Sequence, residues 1–139
     1  MEYIFETELD VRDYECDIQG IVNNAVYQNY FEHARHKFLL AAGISFAKLH
    51  TEHIDPVVYR IEIDYKFPLK SGNGFICKVN YEKKGNVRII FNQAIYRKPD
   101  NKFIAAAKVI VVVLKNGKPV APDFLVEAFE KYKNKYPES

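Results

Sequence analysis

Hydrophobic and polar positions change period along this chain, and the changes mark its elements. Tyr3, Phe5, Thr7, Leu9 and Val11 alternate with Glu6, Glu8 and Asp10. A period of two belongs to a half-buried strand. From about Asn24 the spacing lengthens. Tyr27, Tyr30, Phe31, Ala34, Phe38, Ala41 and Ala42 form one apolar stripe at helical spacing. Gln28, Asn29, Glu32, His33, Arg35 and Lys37 fill the other side. Gly43 is a natural stop, so a helix of about five turns is expected here.

Beyond position 57 the chain reads as strands almost to its end. Val57, Tyr59, Ile61, Ile63, Tyr65 and Phe67 are expected on one face, with Arg60, Glu62, Asp64 and Lys66 on the other. Pro68 and the Ser71-Gly72-Asn73-Gly74 cluster break the run. Phe75, Cys77, Val79 and Tyr81 repeat the alternation, and Lys83-Lys84-Gly85-Asn86 reads as a hairpin turn. Two further strands, over 87–97 and 103–114, are joined by Lys98-Pro99-Asp100-Asn101, and Asn116-Gly117 signals another turn. A short amphipathic helix around Phe124, Ala128, Phe129 and Tyr132 follows Pro122. Short turns make the last four strands antiparallel neighbours. The pattern therefore predicts an α+β domain in which one long helix lies along the concave face of a curved, five-stranded antiparallel sheet. Alternation blurs over 109–114, as expected of a strand buried on both faces or lying at a subunit seam.

Composition narrows the class. A chain of 139 residues, 48% hydrophobic and 27% charged, can build one genuine core, so a single domain over 1–139 is expected. Ten Tyr and ten Phe with no Trp point to bulky side chains in a sheet face or an intersubunit seam. The formal net charge of +2 is too small to argue for nucleic acid. Cys16 and Cys77 are too few and too far apart for a disulfide framework, which suggests reduced thiols and a cytoplasmic protein. The start lacks the basic and apolar regions of a signal peptide. The longest apolar run, over 109–114, is too short to span a bilayer. Neither nucleic acid nor membrane is an expected partner.

The densest chemistry lies in RDYECDIQGIVNNAVYQNYFEHAR, residues 12–35. It places the Asp17 carboxylate before a Gly-containing turn, then the Asn23-Asn24 pair, then the start of the long helix. A helix N-terminus carries unpaired N–H groups and a partial positive charge, and so polarises a carbonyl or holds an anion. A base or nucleophile beside such an electrophile trap is the minimum kit for hydrolysing an activated acyl group. Asp and Asn are also ordinary capping residues, and Gly is an ordinary turn residue. The residues alone leave both readings open.

The pattern D-x-x-G-x-V-N-N-x-x-Y, followed by Tyr30-Phe31-Glu32-x-Ala34-Arg35, resembles the hotdog-fold acyl-CoA thioesterases of the 4-hydroxybenzoyl-CoA type. The Val-Asn-Asn-Ala-Val-Tyr run is also similar to the acyl-ACP thioesterase branch. The resemblance implies a hotdog fold and hydrolysis of an acyl-CoA or acyl-ACP. It implies Asp17 as nucleophile or general base, Gly20 as the residue that shapes the turn, and the backbone N–H of Asn24 as oxyanion donor. Gln19, Gly20, Asn23 and Tyr27 would surround the substrate, with Asn23 assigned the helix cap. It further implies a homodimer or homotetramer with active sites at the interface. Many acyl-CoA relatives carry His where this chain has Asn24, so here the carboxylate and amides would act without an imidazole.

Other candidates compete with these. Glu32 stands where another thioesterase branch keeps its carboxylate, but reads better as a solvent or interface residue. His33, His36, His50 and His53 show no closed zinc-site spacing, and Cys16 reads as a small buried residue. No nucleotide-binding Gly-rich loop appears, so no cofactor is expected. Arg60, Lys66, Lys83, Lys84, Arg88, Arg97 and Lys98 are candidates for coenzyme A phosphates. The alternatives to a thioesterase are a catalytically silent acyl-thioester-binding module and a hotdog dehydratase or hydratase, which would need a His near Asp17.

Overall fold

A computed structural model describes residues 2–136. In chain order the elements are β1 (Phe5–Asp10), α1 (Asn24–Ala41), α2 (Phe46–Thr51), β2 (Ile54–Tyr65), β3 (Gly74–Lys84), β4 (Arg88–Arg97), β5 (Lys102–Lys115), β6 (Lys118–Val120) and α3 (Asp123–Lys135). The strands form one antiparallel sheet in the order β1-β3-β4-β5-β2, with the short β6 beside β5. α1 lies along the concave face, giving the expected α+β hotdog arrangement. α2 and β6 are additions to that expectation. α2 is a single short segment capped by the Ser45 hydroxyl, which accepts the Lys48 amide at 3.2 Å.

Helix and sheet are joined by aromatic side chains. Phe38 packs on Phe5 and Phe129 at centroid distances of 5.5 and 4.7 Å, and Tyr30 packs on Phe75 at 4.7 Å. Phe31, Phe38, Phe75 and Phe129 are fully buried. Such residues supply most of the stabilisation, at about 25 cal/mol per Å² of apolar surface removed from water. α3 closes this core at the C-terminal end of α1 by inserting Leu125 and Phe129.

Three sequence expectations change. Arg35, placed on the polar side of the helix, is only 7% exposed. It sits one turn after Phe31 and so shares the inward face. Its guanidinium donates to the Gln93 Oε1 at 3.1 Å, and the Gln93 amide nitrogen donates to the Phe31 carbonyl at 2.9 Å. In β2, Val58 lies opposite Val111 and Ile61 opposite Val109, with a bulge at Tyr59 between them. The extra residue reverses the alternation, so Val57, Tyr59 and Ile61 do not share one face. β2 also begins at Ile54 and runs through Pro56, which an edge strand tolerates because the missing N–H can face outward. Finally, of the two readings of the 109–114 run, full burial on both faces within the chain does not hold: Val109, Val111 and Val113 are buried but Ile110 and Val112 only half-buried.

The Arg35–Gln93 pair yields a stability test. Gln93→Leu nearly preserves volume but strips a hydrogen-bond partner from a buried guanidinium and from the Phe31 carbonyl. Denaturant unfolding is expected to report a loss of about 1–3 kcal/mol. An unchanged unfolding midpoint and slope would show that the pair contributes nothing.

Candidate active site

The chain ahead of α1 folds into a small hairpin. The Asn23 amide donates to the Glu15 carbonyl at 3.0 Å, the Asp17 amide donates to the Ile21 carbonyl at 2.8 Å, and Cys16 stands opposite Val22. Asp17-Ile18-Gln19-Gly20 makes the turn, closed by the Gly20 amide on the Asp17 carbonyl at 2.9 Å. Gly20 has φ +82°, and no atom lies within 4 Å of where its Cβ would stand. Backbone angle, not crowding, therefore selects glycine. The Gln19 amide donates to the Asp17 Oδ1 at 2.8 Å, an Asx turn that orients the carboxylate. The other carboxylate oxygen has no partner among the described residues, and Asp17 is exposed.

The hairpin is moored to the sheet. The Val22 amide donates to the Leu69 carbonyl at 2.8 Å, Ile21 bridges to Lys70, and the Leu69 amide donates to the Tyr27 hydroxyl at 3.2 Å. Tyr27 thus lies buried beneath the hairpin, edge-on to Tyr30 and Tyr65. Burial, its largest influence, pushes its ionisation upward, so the phenol stays neutral.

α1 starts at the hairpin's end. Asn23 is the N-cap, its Oδ1 accepting the Ala25 amide at 3.0 Å. Asn24 is the first helical residue. Its backbone N–H meets no acceptor among the described residues, while its carbonyl receives the Tyr65 hydroxyl at 3.2 Å. One unspent donor therefore stands at the positive end of an 18-residue helix, one short hairpin arm, residues 21–23, after the turn that presents Asp17. Asp17, Gln19, Gly20, Asn23 and Asn24 all belong to this one hairpin–helix junction.

Two residues to which the sequence assigns no role at the site hold the junction together. The Glu15 Oε1 receives both the Arg12 amide and the Tyr30 hydroxyl, each at 2.8 Å. Tyr30 stood within the quoted motif, but Glu15 carried no signal, because its partner lies beyond the turn on another element. Cys16, expected buried, is half-buried.

At the other end of α1 a cavity of about 620 Å³ opens between α1, α2 and β2. Leu39, Phe46, Leu49, Val58 and Val111 make its apolar wall, with Arg35 set among them. No hairpin residue lines it. Arg35 lies about 16 Å along the helix from Asn24 at 1.5 Å per residue. Glu32, His36 and His50 also border it, and the His36 ring packs on Phe46 at 5.1 Å.

Several candidate phosphate ligands are already engaged. Arg60 pairs with Glu62 at 3.4 Å, Lys83 with Asp123 at 3.2 Å and Lys98 with Glu8 at 3.0 Å, and Arg97 pairs with Asp100. Burial first, then neighbouring Lys37, holds the His33 pKa below its usual value. Among the described residues, no group of three or more His, Cys, Asp or Glu side chains could hold a metal ion. No helix among them is long and apolar enough to cross a membrane.

The chain is similar to known proteins over most of its length. An acyl-acyl carrier protein thioesterase of Arabidopsis thaliana, ATL3, chloroplastic, is 38% identical over 116 residues, covering 84% of this chain and 61% of that protein. The chain thus spans about three-fifths of that plant relative's length. A putative esterase of Aquifex aeolicus is 31% identical over 111 residues, covering 80% of this chain and 85% of that one. Among solved structures, a thioesterase from Thermus thermophilus complexed with coenzyme A and Zn superposes with a TM-score of 0.79. It is 25% identical, and the match covers 95% of this chain and 96% of that one. The family model described as the thioesterase-like superfamily matches residues 11–129. With the hairpin, the helix start and strands β2 to β6 inside that span, the chain belongs to the thioesterase-like superfamily.

Proposed function

We propose that the protein hydrolyses an acyl thioester, of coenzyme A or of an acyl carrier protein, to a carboxylic acid and a free thiol. The observation that carries this reading is the single hairpin that carries the Asp17 turn and runs through its second arm into the unspent Asn24 N–H. Acting as general base, Asp17 takes a proton from water while the resulting hydroxide adds to the thioester carbonyl. The developing oxyanion is stabilised by the Asn24 amide and the helix dipole. Collapse of the tetrahedral species expels the thiolate, which takes up the proton held by Asp17. Acting as nucleophile, Asp17 would displace the thiolate to form a mixed anhydride that water then cleaves. Both routes use the same oxyanion donor, and a donor of this kind is typically worth about 2.7–4 kcal/mol of barrier. The plant relative is named for acyl carrier protein and the Thermus structure holds coenzyme A; both carriers present a phosphopantetheine thiol.

The 620 Å³ cavity supports a home for the acyl chain, being apolar and of ligand size. It lies far from Asp17 within one protomer, and a second copy resolves the separation. β2 is a long edge strand that exposes Val58 (46%) and Tyr59 (51%), a poor surface to leave open. Its C-terminal end touches the start of α1 through Tyr65 and Asn24, and its N-terminal end lines the cavity through Ile54, Pro56 and Val58. Antiparallel pairing of two β2 edges about a two-fold axis brings each protomer's Asp17 to the other's cavity. We take a homodimer as the working unit, with a tetramer as two such pairs. Free Cys16 and Cys77 suit the reducing cytoplasm.

Kinetics test the site. Asp17→Asn is expected to fold normally, since Asn also makes this turn, while kcat with acyl-CoA substrates falls by at least about 100-fold in a free-thiol assay. Asn24→Ala keeps the backbone N–H and is expected to lower kcat more than it raises KM. The pH profile of kcat/KM is expected to fall on the acidic side only and to stay flat near about 6.5, where free histidine titrates. Turnover near wild type in a folded Asp17→Asn enzyme would remove Asp17 from the mechanism, and a limb near neutral pH abolished by replacing one histidine would assign the base elsewhere.

Light scattering tests the assembly. A particle of at least twice the 16.2 kDa chain mass is expected, and Val58→Lys with Tyr59→Lys is expected to give an inactive monomer. A fully active monomer would contradict an interface site.

A further inference from the structure

The Glu15–Tyr30 bond does more than fill the core. Glu15 is tied three times. Its Oε1 accepts the Arg12 amide and the Tyr30 hydroxyl at 2.8 Å each, and its own carbonyl accepts the Asn23 amide at 3.0 Å. Glu15 ends a short 3-10 turn, Asp13–Glu15, and the arm that carries Cys16 and Asp17 starts directly after it. The other arm runs through Val22 and Asn23 into α1. A bond from the second turn of α1 to Glu15 therefore sets the angle between the Asp17 arm and the helix start.

Tyr30 is well placed for this task. It is 3% exposed, wedged between Tyr27 at 5.9 Å and Phe75 at 4.7 Å. Its ring cannot swing without disturbing the core, so the hydroxyl is a fixed donor. Burial first, and then the Glu15 carboxylate, raise its ionisation far above the ordinary range, so it remains a donor at every working pH. Among the described residues, the Glu15 carboxylate is the one acceptor that this hydroxyl meets.

We infer that Glu15 and Tyr30 are positioning residues for hydrolysis, a phenol–carboxylate clamp that holds the Asp17 carboxylate in register with the Asn24 N–H; this rests on the reading of Asp17 and Asn24 as the reacting centre. Neither residue touches substrate in this scheme. Their effect is on alignment, and therefore on the transition state more than on binding. What Glu15 supplies is a hydrogen-bond acceptor at Oε1, which a carboxamide oxygen also supplies.

The test is a panel of Tyr30→Phe, Glu15→Ala, Glu15→Gln and Asp17→Asn, assayed with acyl-CoA well below the lowest melting temperature of the set. Tyr30→Phe and Glu15→Ala are expected to lower kcat by roughly 10- to 100-fold, the scale of a small misplacement of a reacting group, with KM little changed. Glu15→Gln is expected to recover most of that loss. Unaltered kcat in Tyr30→Phe beside a dead Asp17→Asn enzyme overturns the clamp while leaving Asp17 in place. A Glu15→Gln enzyme as impaired as Glu15→Ala also overturns it, since charge and not an acceptor would then matter. An active Asp17→Asn enzyme is the separate signature that the underlying site reading is wrong. Should Tyr30→Phe fail to fold, the contrast between the two Glu15 variants decides the question alone.

Discussion

The hydrogen bond from the Asn23 amide to the Glu15 carbonyl sets where α1 begins relative to Asp17, and the candidate chemistry depends on it. Without that rung the Asp17 turn would keep its own closing bonds but lose the link that ties the far end of its arm to the helix start. With it, the turn and the helix start become one rigid unit. The helix contributes its positive end, because Asn23 satisfies the Ala25 amide and leaves the Asn24 amide unspent. A complete cap would have been better for stability and useless for polarising a carbonyl.

That unit needs a stiff support, and the sheet supplies one. The Tyr27 hydroxyl and the Val22 amide both bind Leu69, in the segment that joins β2 to β3. Tyr65 of β2 reaches the Asn24 carbonyl. The helix is in turn pinned from below by Gln93, which holds the Phe31 carbonyl and the Arg35 guanidinium together. A buried permanent charge is costly unless hydrogen-bonded. Gln93 offsets part of that cost and links the middle of the helix to the central strand.

Much of this was legible in the chain. Alternation located every long strand, and the helical stripe gave α1 nearly to the residue, because both periods follow directly from backbone geometry. Asp17, Gly20 and Asn23 were readable as a turn and a cap, since those roles depend on side chains acting within three residues. Other features were hidden for physical reasons. Arg35 was misplaced because its charge outweighed its position one turn from Phe31. The Tyr59 bulge is invisible in β2 alone, since Val57, Tyr59 and Ile61 alternate perfectly; only the register with β5 reveals the extra residue. α2 is too short to establish a period. The bond between Glu15 and Tyr30 joins two elements across a turn, and no local pattern encodes it.

The most direct test of the central claim is a crystal structure with a non-hydrolysable ketone analogue of an acyl-CoA, in which a methylene replaces the thioester sulfur and the carbonyl is kept. The expected result places that carbonyl oxygen within hydrogen-bond distance of the Asn24 N–H, about 2.7–3.1 Å. The free oxygen of the Asp17 carboxylate should face the carbonyl carbon directly or through one water, and the acyl tail should enter the apolar cavity beside Arg35 of the partner protomer. A carbonyl bound instead beside Glu32, His36 or His50, with Asp17 and Asn24 facing open solvent, would contradict it.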